Sequence, residues 1–185
     1  MESERRVVAS DADILMNLLA SGFPVDILQA LNVVLLVAPR VDGEALYLES
    51  ENPGGDRVLI DLNPLEAAGV VSRISLTDDE LDLVVQLVRE VDDGEAEVIA
   101  VGVLRNVEIA TDDRKARRVA AERGGSLLST PELLVAWQSS ASIPDQTMTA
   151  VVRQVSRRSR YRPARMHPLY GGWMQLLSSD ETPSQ

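Results

Sequence analysis

Short apolar runs alternate with helical segments along most of the chain, and this alternation constrains the fold more than any other feature. The run VVLLVAP at 33–39 is uninterrupted and ends at a proline, which is typical of a strand buried on both faces. Strands that alternate with helices form parallel sheets, so the pattern predicts an α/β fold with a doubly wound, parallel sheet. The predicted strands are RVVAS, VVLLVAP, VVSRISL, VEIAT and SLLST.

Several helix starts are marked by capping residues. In TDDELDLVVQLVREV, Thr77 and Glu80 have the spacing of a capping box and precede an amphipathic pattern. Ser10 or Asp11 caps the helix predicted over ILMNLLASG. The remaining predictions are a short helix at VDILQALN, a weak helix at VDGEALYLE, a turn at NPGGD, a strand at RVLIDL, and helices at GEAEVIAVGVLRN, DDRKARRVAAERGG and PELLVAW.

Length and composition exclude several classes of protein. The chain has 185 residues, enough for one domain with a sizeable core. No apolar run reaches the ~18 residues of a membrane span, and the first residues lack the pattern of a signal peptide. The absence of cysteine fits a reducing compartment, so a cytoplasmic location is expected. The expected segments are a domain at 1–143, a helix and arginine-rich segment at 144–168, and a flexible tail at 169–185.

Carboxylates follow two of the predicted strands. Asp11 and Asp13 come after RVVAS, and Asp112 and Asp113 come after VEIAT. Ligands of open α/β sheets bind outside the carboxyl ends of the strands, so these acids should share one crevice. Acids crowded together retain protons or surround a cation, and Mg²⁺ prefers oxygen ligands. Each acid also has a simpler explanation as a helix cap or first-turn residue.

The stretch GEAEVIA at 94–100 places two more acids at the start of an apolar helix. Glu95 and Glu97 point about 200° apart on a helix, so only one of them can face the crevice. Glu95 lies one turn before the core-facing residues Val98 and Ile99, which places it at the rim of the crevice. Glu97 is then expected to face solvent or an arginine.

Four stretches in this order resemble the motifs of PIN domains. VVASDADILMNLLASG resembles the first motif, with Asp11 at the family's aspartate and Asn17 at its helix asparagine. APRVDGEAL resembles the second motif, with Glu44 as the matching acid. GEAEVIAVG resembles the third, with Glu95 in the place of the acid, and ATDDRKARRVAAERGGSLLST resembles the fourth. The resemblance covers residues 5 to 137 and implies a PIN-like three-layer sandwich with helices on both faces of the sheet.

The resemblance implies Mg²⁺- or Mn²⁺-dependent cleavage of single-stranded or structured RNA, as in VapC-type toxins of toxin–antitoxin pairs. An antitoxin protein would then be a partner, and a homodimer is expected, with Val25, Ile27 and Leu28 as an apolar helix face. Ser10 and Thr111 would assist the site by hydrogen bonds. The implied catalytic residues are Asp11, Glu44, Glu95, Asp112 and Asp113, and the implied metal ligands are Asp11, Glu95 and one or both of Asp112 and Asp113.

Two departures from the family pattern leave an alternative open. Asp13 stands where Ser or Asn is commoner, and segment 46–76 is longer than a minimal member needs. The alternative is a catalytically inactive PIN-like module that binds nucleic acid or protein. A receiver-like signalling domain is disfavoured because it needs a lysine at a late strand end, whereas the only lysine, Lys115, lies at a helix start.

The stretch RQVSRRSRYRPARMH at 153–167 contains six arginines and no acid, in a chain of net charge −11. A chain of this charge does not attract polyanions through its overall field, so RNA binding requires local cations. The arginines would contact phosphates and Tyr161 would stack on a base. Alternatively, the arginines would pair with the protein's own acids or dock on an acidic face of a partner subunit. The candidate nucleic-acid-binding residues are Arg157, Arg158, Arg160, Tyr161 and Arg162.

Overall fold

The computed structural model describes residues 5–44, 46–52 and 54–179 and contains two sheets. The larger is a five-stranded sheet in which every pairing is parallel, flanked by helices, as the sequence pattern predicts. The strands are β1 (Arg6–Ser10), β2 (Val33–Val37), β3 (Tyr47–Leu48), β4 (Val58–Leu59), β5 (Val71–Arg73), β6 (Glu108–Ala110) and β7 (Leu127–Leu128). Their order in the large sheet is β5-β2-β1-β6-β7, and β3 pairs with β4 in an antiparallel hairpin outside it.

The helices connect and cover the strands. They are α1 (Ala12–Ala20), α2 (Pro24–Ala30), α3 (Pro39–Gly43), α4 (Asn63–Ala67), α5 (Asp78–Leu87), α6 (Asp93–Leu104), α7 (Arg114–Glu122), α8 (Thr130–Ser140), α9 (Asp145–Arg158) and α10 (Tyr170–Ser178). None of the helices within the described residues has the length and apolar character needed to cross a bilayer.

The core extends from the central strands to helix α6 and to helices α1, α2, α8 and α9. Val8 of β1 and Leu35 of β2 are fully buried, as the uninterrupted apolar runs predict. Helix α6 packs against β1 and β6, and a side chain at Gly102 would overlap Ile109 of β6. Glycine at this position therefore lets α6 approach the sheet closely.

The structure corrects the prediction for residues 41–49. A continuous weak helix was predicted there, but α3 ends at Gly43 and Tyr47–Leu48 form a strand that pairs with Val58–Leu59. Pro39 explains the earlier start, because proline is favoured in the first turn of a helix. Helix α4 was not predicted at all.

The last described residues also differ from expectation. Segment 169–185 was predicted to be a flexible tail, yet Tyr170–Ser178 form α10, which packs on α9. Trp173 explains the docking of α10, since its side chain is buried and its Nε1 donates to Ser156 Oγ at 3.2 Å. Residues 180–185 of the predicted tail lie outside the described residues.

Candidate active site

Strands β1 and β6 end side by side, and their acids follow directly. Asp11 separates β1 from α1, where its Oδ1 accepts a hydrogen bond from Ile14 N at 3.0 Å and caps the helix. Its own backbone N–H donates to Ala110 O at the end of β6, at 3.1 Å. This bond joins the two strand ends, so Asp11 and the acids after β6 lie at the same edge of the sheet, as predicted.

A cavity of about 110 Å³ opens beside Asp11. Glu44 reaches it from the end of α3, and Glu95 from the first turn of α6, so both predicted acids lie there. The sequence patterns did not assign Asp92 to this site or Asp13 a catalytic role, although both line the cavity. The sequence does indicate that Asp92 lies beside Glu95 at a helix start, because the spacing of the two residues is that of a capping box. The acidic lining residues are Asp11, Asp13, Glu44, Asp92 and Glu95.

Burial, and then the neighbouring negative charges, raises the proton affinity of these carboxylates. Burial raises the pKa of Asp11 to about 8; the charges of Asp13 and Asp112 add to this shift, while hydrogen bonds from Thr111 and Ile14 oppose it. Burial likewise raises the pKa of Asp13, where the charges of Asp112, Asp113 and Asp92 add to the shift. No lysine, arginine or histidine is among the described residues that line the cavity.

The two acids on the α3 and α6 side behave in the same way. Burial raises the pKa of Glu95 to about 7, the charges of Asp92 and Asp113 add to the shift, and the bond from Asp92 N and the charge of Lys115 oppose it. The pKa of Glu44 is raised by burial and then by Asp92 and Asp13.

Asp112 and Asp113, which the sequence does not distinguish, have different surroundings. Asp113 caps α7: its Oδ1 accepts from Lys115 N at 2.7 Å and from Ala116 N at 2.8 Å. Asp112 instead turns inward, where burial raises its pKa and four hydrogen bonds oppose the shift.

The four donors occupy both oxygens of Asp112. Oδ1 accepts from Thr130 N at 3.1 Å and from the Tyr161 hydroxyl at 2.9 Å. Oδ2 accepts from Asn17 Nδ2 at 3.0 Å and from Thr130 Oγ1 at 2.5 Å. A carboxylate offers about four acceptor positions, so Asp112 is fully hydrogen-bonded and acts on Asp11 and Asp13 mainly through its charge.

Glu95 and Glu97 diverge as expected, and of the two environments predicted for Glu97, solvent or an arginine, solvent is wrong. Glu95 lines the cavity and forms a capping box with Asp92, whose Oδ1 accepts from Glu95 N at 2.8 Å. Glu97 is only 8% exposed, and its Oε2 accepts from Arg40 N at 2.8 Å. Glu97 therefore binds the first turn of α3, the helix that leads to Glu44, instead of facing solvent.

The arginine-rich segment is attached to the β3–β4 hairpin. Arg158 pairs with Glu51 at 3.1 Å and Arg160 pairs with Glu49 at 2.9 Å. Arg157 donates to Gln154 Oε1 at 3.2 Å, and Arg162 is exposed. Of the alternatives for this segment, Arg158 and Arg160 therefore follow the one in which the arginines pair with the protein's own acids.

Tyr161, predicted to stack on a base, is half-buried. Its hydroxyl donates to Asp112, and its ring meets Trp173 edge-on with 5.4 Å between the ring centroids.

The helix face proposed for dimer formation is already packed against the rest of the chain, because Ile27 and Leu28 are fully buried.

The chemistry of the cavity suits a hard divalent cation. The donor atoms are carboxylate oxygens, and the absence of a side chain at Gly94 keeps space beside Glu44, because a Cβ there would lie 3.1 Å from Glu44 Oε1. Within the described ranges, however, no group of three or more His, Asp or Glu side chains is already arranged to hold a metal ion. A cation would have to draw the carboxylates inward or bind some of them through water.

A parallel α/β sandwich with acids gathered at the carboxyl edge of its sheet is the arrangement expected of the PIN class. The chain matches the family model described as DUF3368: PIN domain over residues 7–167. The chain therefore belongs to this PIN-domain family, and the match extends through the arginine-rich segment. The comparisons with curated proteins and with solved structures gave no match.

PIN domains are associated with nuclease-type functions and generally use divalent metals. Family membership therefore supports nucleic acid as the ligand class.

Proposed function

We propose that this protein is a divalent-cation-dependent ribonuclease that hydrolyses phosphodiester bonds of RNA. The observation that carries the proposal is the gathering of Asp11, Asp13, Glu44, Asp92 and Glu95 around one cavity, with raised pKa values at four of them. Carboxylates that repel one another at a sheet edge favour a bound cation, and family membership makes a nucleic acid the fitting substrate.

Each side chain has a proposed part in the reaction. Asp11 and Glu95, which both line the cavity, would hold Mg²⁺ or Mn²⁺, with the carboxylate of Asp113 as a further ligand. Asp112 would supply a fixed negative charge near Asp11 and Asp13. When bound, the cation activates water and balances charge on the scissile phosphate. Glu44, which enters from α3, would orient the attacking water.

The substrate must reach an acidic protein through local cations. Exposed Arg157 and Arg162 are the best placed of the arginine-rich residues, because Arg158 and Arg160 already have acidic partners. Lys115, which is exposed at the start of α7 and close enough to influence Glu95, would contact a phosphate beside the cavity.

The cellular setting is a finer part of the proposal. The PIN resemblance supports a toxin of a toxin–antitoxin pair that works in the cytoplasm with an antitoxin partner. It also supports a homodimer, which would have to use a surface other than the buried face of α2. Light scattering that shows only monomer at high micromolar concentration would contradict the dimer.

The central test combines RNA cleavage with metal binding. Wild-type protein should cleave single-stranded RNA in Mn²⁺ or Mg²⁺ and stop in EDTA. Asp11→Asn should lose both cleavage and Mn²⁺ binding by calorimetry while its circular dichroism spectrum stays unchanged. Asp82→Asn, at an exposed acid of α5, is the matched control and should behave as wild type.

A catalytically inactive binding module is the second candidate. It is favoured by the lack of a preassembled group of three acidic ligands among the described residues. RNA binding without cleavage at any Mn²⁺ or Mg²⁺ concentration would select this candidate over the ribonuclease.

A further inference from the structure

The arginine-rich segment places one side chain, that of Tyr161, against Asp112, whose charge acts on the cavity residues Asp11 and Asp13. The Tyr161 hydroxyl donates to Asp112 Oδ1 at 2.9 Å, although the two residues are 49 positions apart in the chain. The Tyr161 ring packs edge-on against Trp173, with an interplanar angle of 85°. Trp173 is 4% exposed, so the ring that orients Tyr161 is itself fixed in the core.

The backbone before Tyr161 is also held in place. Helix α9 ends at Arg158, and Arg160 has a φ of 57°, a left-handed conformation that non-glycine residues adopt infrequently. This conformation turns the chain after α9 and precedes Tyr161 directly. The end of α9 is also bonded to the residue that follows β3, because Glu49 N donates to Arg158 O at 2.8 Å.

Tyr161 and the other donors to Asp112 come from different parts of the chain. Asn17 lies in α1 and Thr130 opens α8, so both belong to helices that begin at the strand ends. Within the described residues, Tyr161 is the one donor to Asp112 that comes from beyond α8. Without its hydroxyl, Oδ1 would keep a single donor, Thr130 N, and the carboxylate would be less tightly oriented.

We propose that Tyr161 is a positioning residue that fixes the Asp112 carboxylate so that its negative charge stays next to Asp11 and Asp13, which line the cation-binding cavity. The inference rests on the proposed metal-dependent function. It gives the arginine-rich segment a second role: Arg158 and Arg160 clamp the segment to the β3–β4 hairpin and thereby hold Tyr161 on Asp112. Groups that orient charged residues around a metal commonly change its affinity when they are removed.

The test is Tyr161→Phe, which removes the hydroxyl and retains a ring against Trp173. Calorimetric titration with Mn²⁺ should give a Kd about 10-fold higher than that of wild type. RNA cleavage should slow at limiting Mn²⁺ and recover towards the wild-type kcat at saturating Mn²⁺. Tyr170→Phe is the matched control and should keep the wild-type Kd, because no hydroxyl contact of Tyr170 is found within the described residues.

The outcomes separate this inference from the proposed function. If wild type binds Mn²⁺, Asp11→Asn does not, and Tyr161→Phe binds as tightly as wild type or more tightly, the positioning role is wrong and the metal site stands. A lower melting temperature with an unchanged Kd would also overturn it, because Tyr161 would then serve stability alone. Failure of wild type to bind Mn²⁺ would overturn both proposals.

Discussion

Helices α5 and α6 begin with the same local device and place their glutamates in opposite environments. Thr77 and Glu80 form a capping box at the start of α5, and Asp92 and Glu95 form one at the start of α6. Glu80 meets Arg105, whose Nε and Nη2 donate to its two oxygens at 2.6 and 2.9 Å, and the arginine holds the pKa of Glu80 below its ordinary value. Burial and the charges of Asp92 and Asp113 raise the pKa of Glu95 to about 7.

The difference shows that the capping motif alone does not indicate which glutamate is structural. Both glutamates satisfy backbone N–H groups at a helix start, so the local sequence accounts equally for both. The residues opposite them, which come from distant parts of the chain, decide the outcome. Glu80 has a guanidinium partner and stabilises the fold, whereas Glu95 faces other acids and is available to a cation.

The largest expected effect separates the two glutamates by activity. Glu95→Gln should lower kcat/KM for RNA cleavage in Mn²⁺ by about 100-fold or more, equivalent to about 3 kcal/mol, because it removes a proposed cation ligand. Steady-state cleavage of single-stranded RNA measures this. Glu122→Gln, at an exposed glutamate of α7, should retain wild-type activity. Equal activity of wild type and Glu95→Gln would end the assignment of Glu95.

The second effect is on stability and falls on the other helix. Glu80→Gln should lower the free energy of unfolding by about 2–3 kcal/mol, because Arg105 loses a charged hydrogen-bond partner that is almost fully buried. Cleavage by the folded variant should stay close to wild type. Urea titration followed by circular dichroism measures the loss, and a change of only a few tenths of a kcal/mol would show that the pair contributes little.

The third effect is on the pH dependence of fold stability, which has opposite signs for the acids of the cavity and for Glu80. Carboxyls with raised pKa values favour the metal-free fold below their unfolded pKa, and that stability is lost as pH rises through about 7 to 8. Glu80, with a lowered pKa, contributes stability above its unfolded pKa, and this is lost as pH falls through its folded pKa.

Melting temperatures in EDTA between pH 3 and 9 would resolve the two contributions. Asp11→Asn should reduce the fall in melting temperature near neutral pH, and Glu80→Gln should reduce the fall in melting temperature at acidic pH. Mn²⁺ should raise the wild-type melting temperature more at pH 8 than at pH 5. A Mn²⁺ effect that does not depend on pH would contradict the electrostatic account of the cavity.

The smallest effect concerns the residue that precedes each glutamate. Asp79 occupies this position in α5, and Gly94 occupies it in α6, where an added Cβ would crowd Glu44. Gly94→Ala should reduce cleavage by about 10-fold, or about 1.4 kcal/mol, while stability is kept or raised because alanine favours helix.

Gly171→Ala is the matched control for this substitution. Gly171 also lies in a helix, and an added Cβ there meets nothing within 4 Å among the described residues, so activity should not change. If Gly94→Ala cleaves RNA as fast as wild type, the space beside Glu44 is not needed.

Local patterns predicted much of the fold and part of the site. The strands β1 and β2 and the capping box of α5 were predictable because apolar strand patterns and helix caps are formed by residues close together in sequence. Asp11, Glu44 and Glu95 were assigned to one site from the strand-end rule and the PIN motifs, and the structure places all three at the cavity.

The remaining features depend on contacts between distant residues. The inward turn of Asp112 is set by Thr130 and Tyr161, which lie 18 and 49 residues away in sequence. The burial of Glu97 depends on Arg40, 57 residues away. No periodicity in the sequence indicates such pairs, so the choice between Asp112 and Asp113 and the burial of Glu97 could not be predicted.

The most direct test of the central claim is to locate Mn²⁺ in a crystal of the wild-type protein. An anomalous difference map should show a peak in the cavity bounded by Asp11, Glu44 and Glu95, and Asp11→Asn crystals soaked in the same way should lack it. A wild-type map with no peak there at millimolar Mn²⁺, or with its strongest peak elsewhere on the protein, would contradict the account.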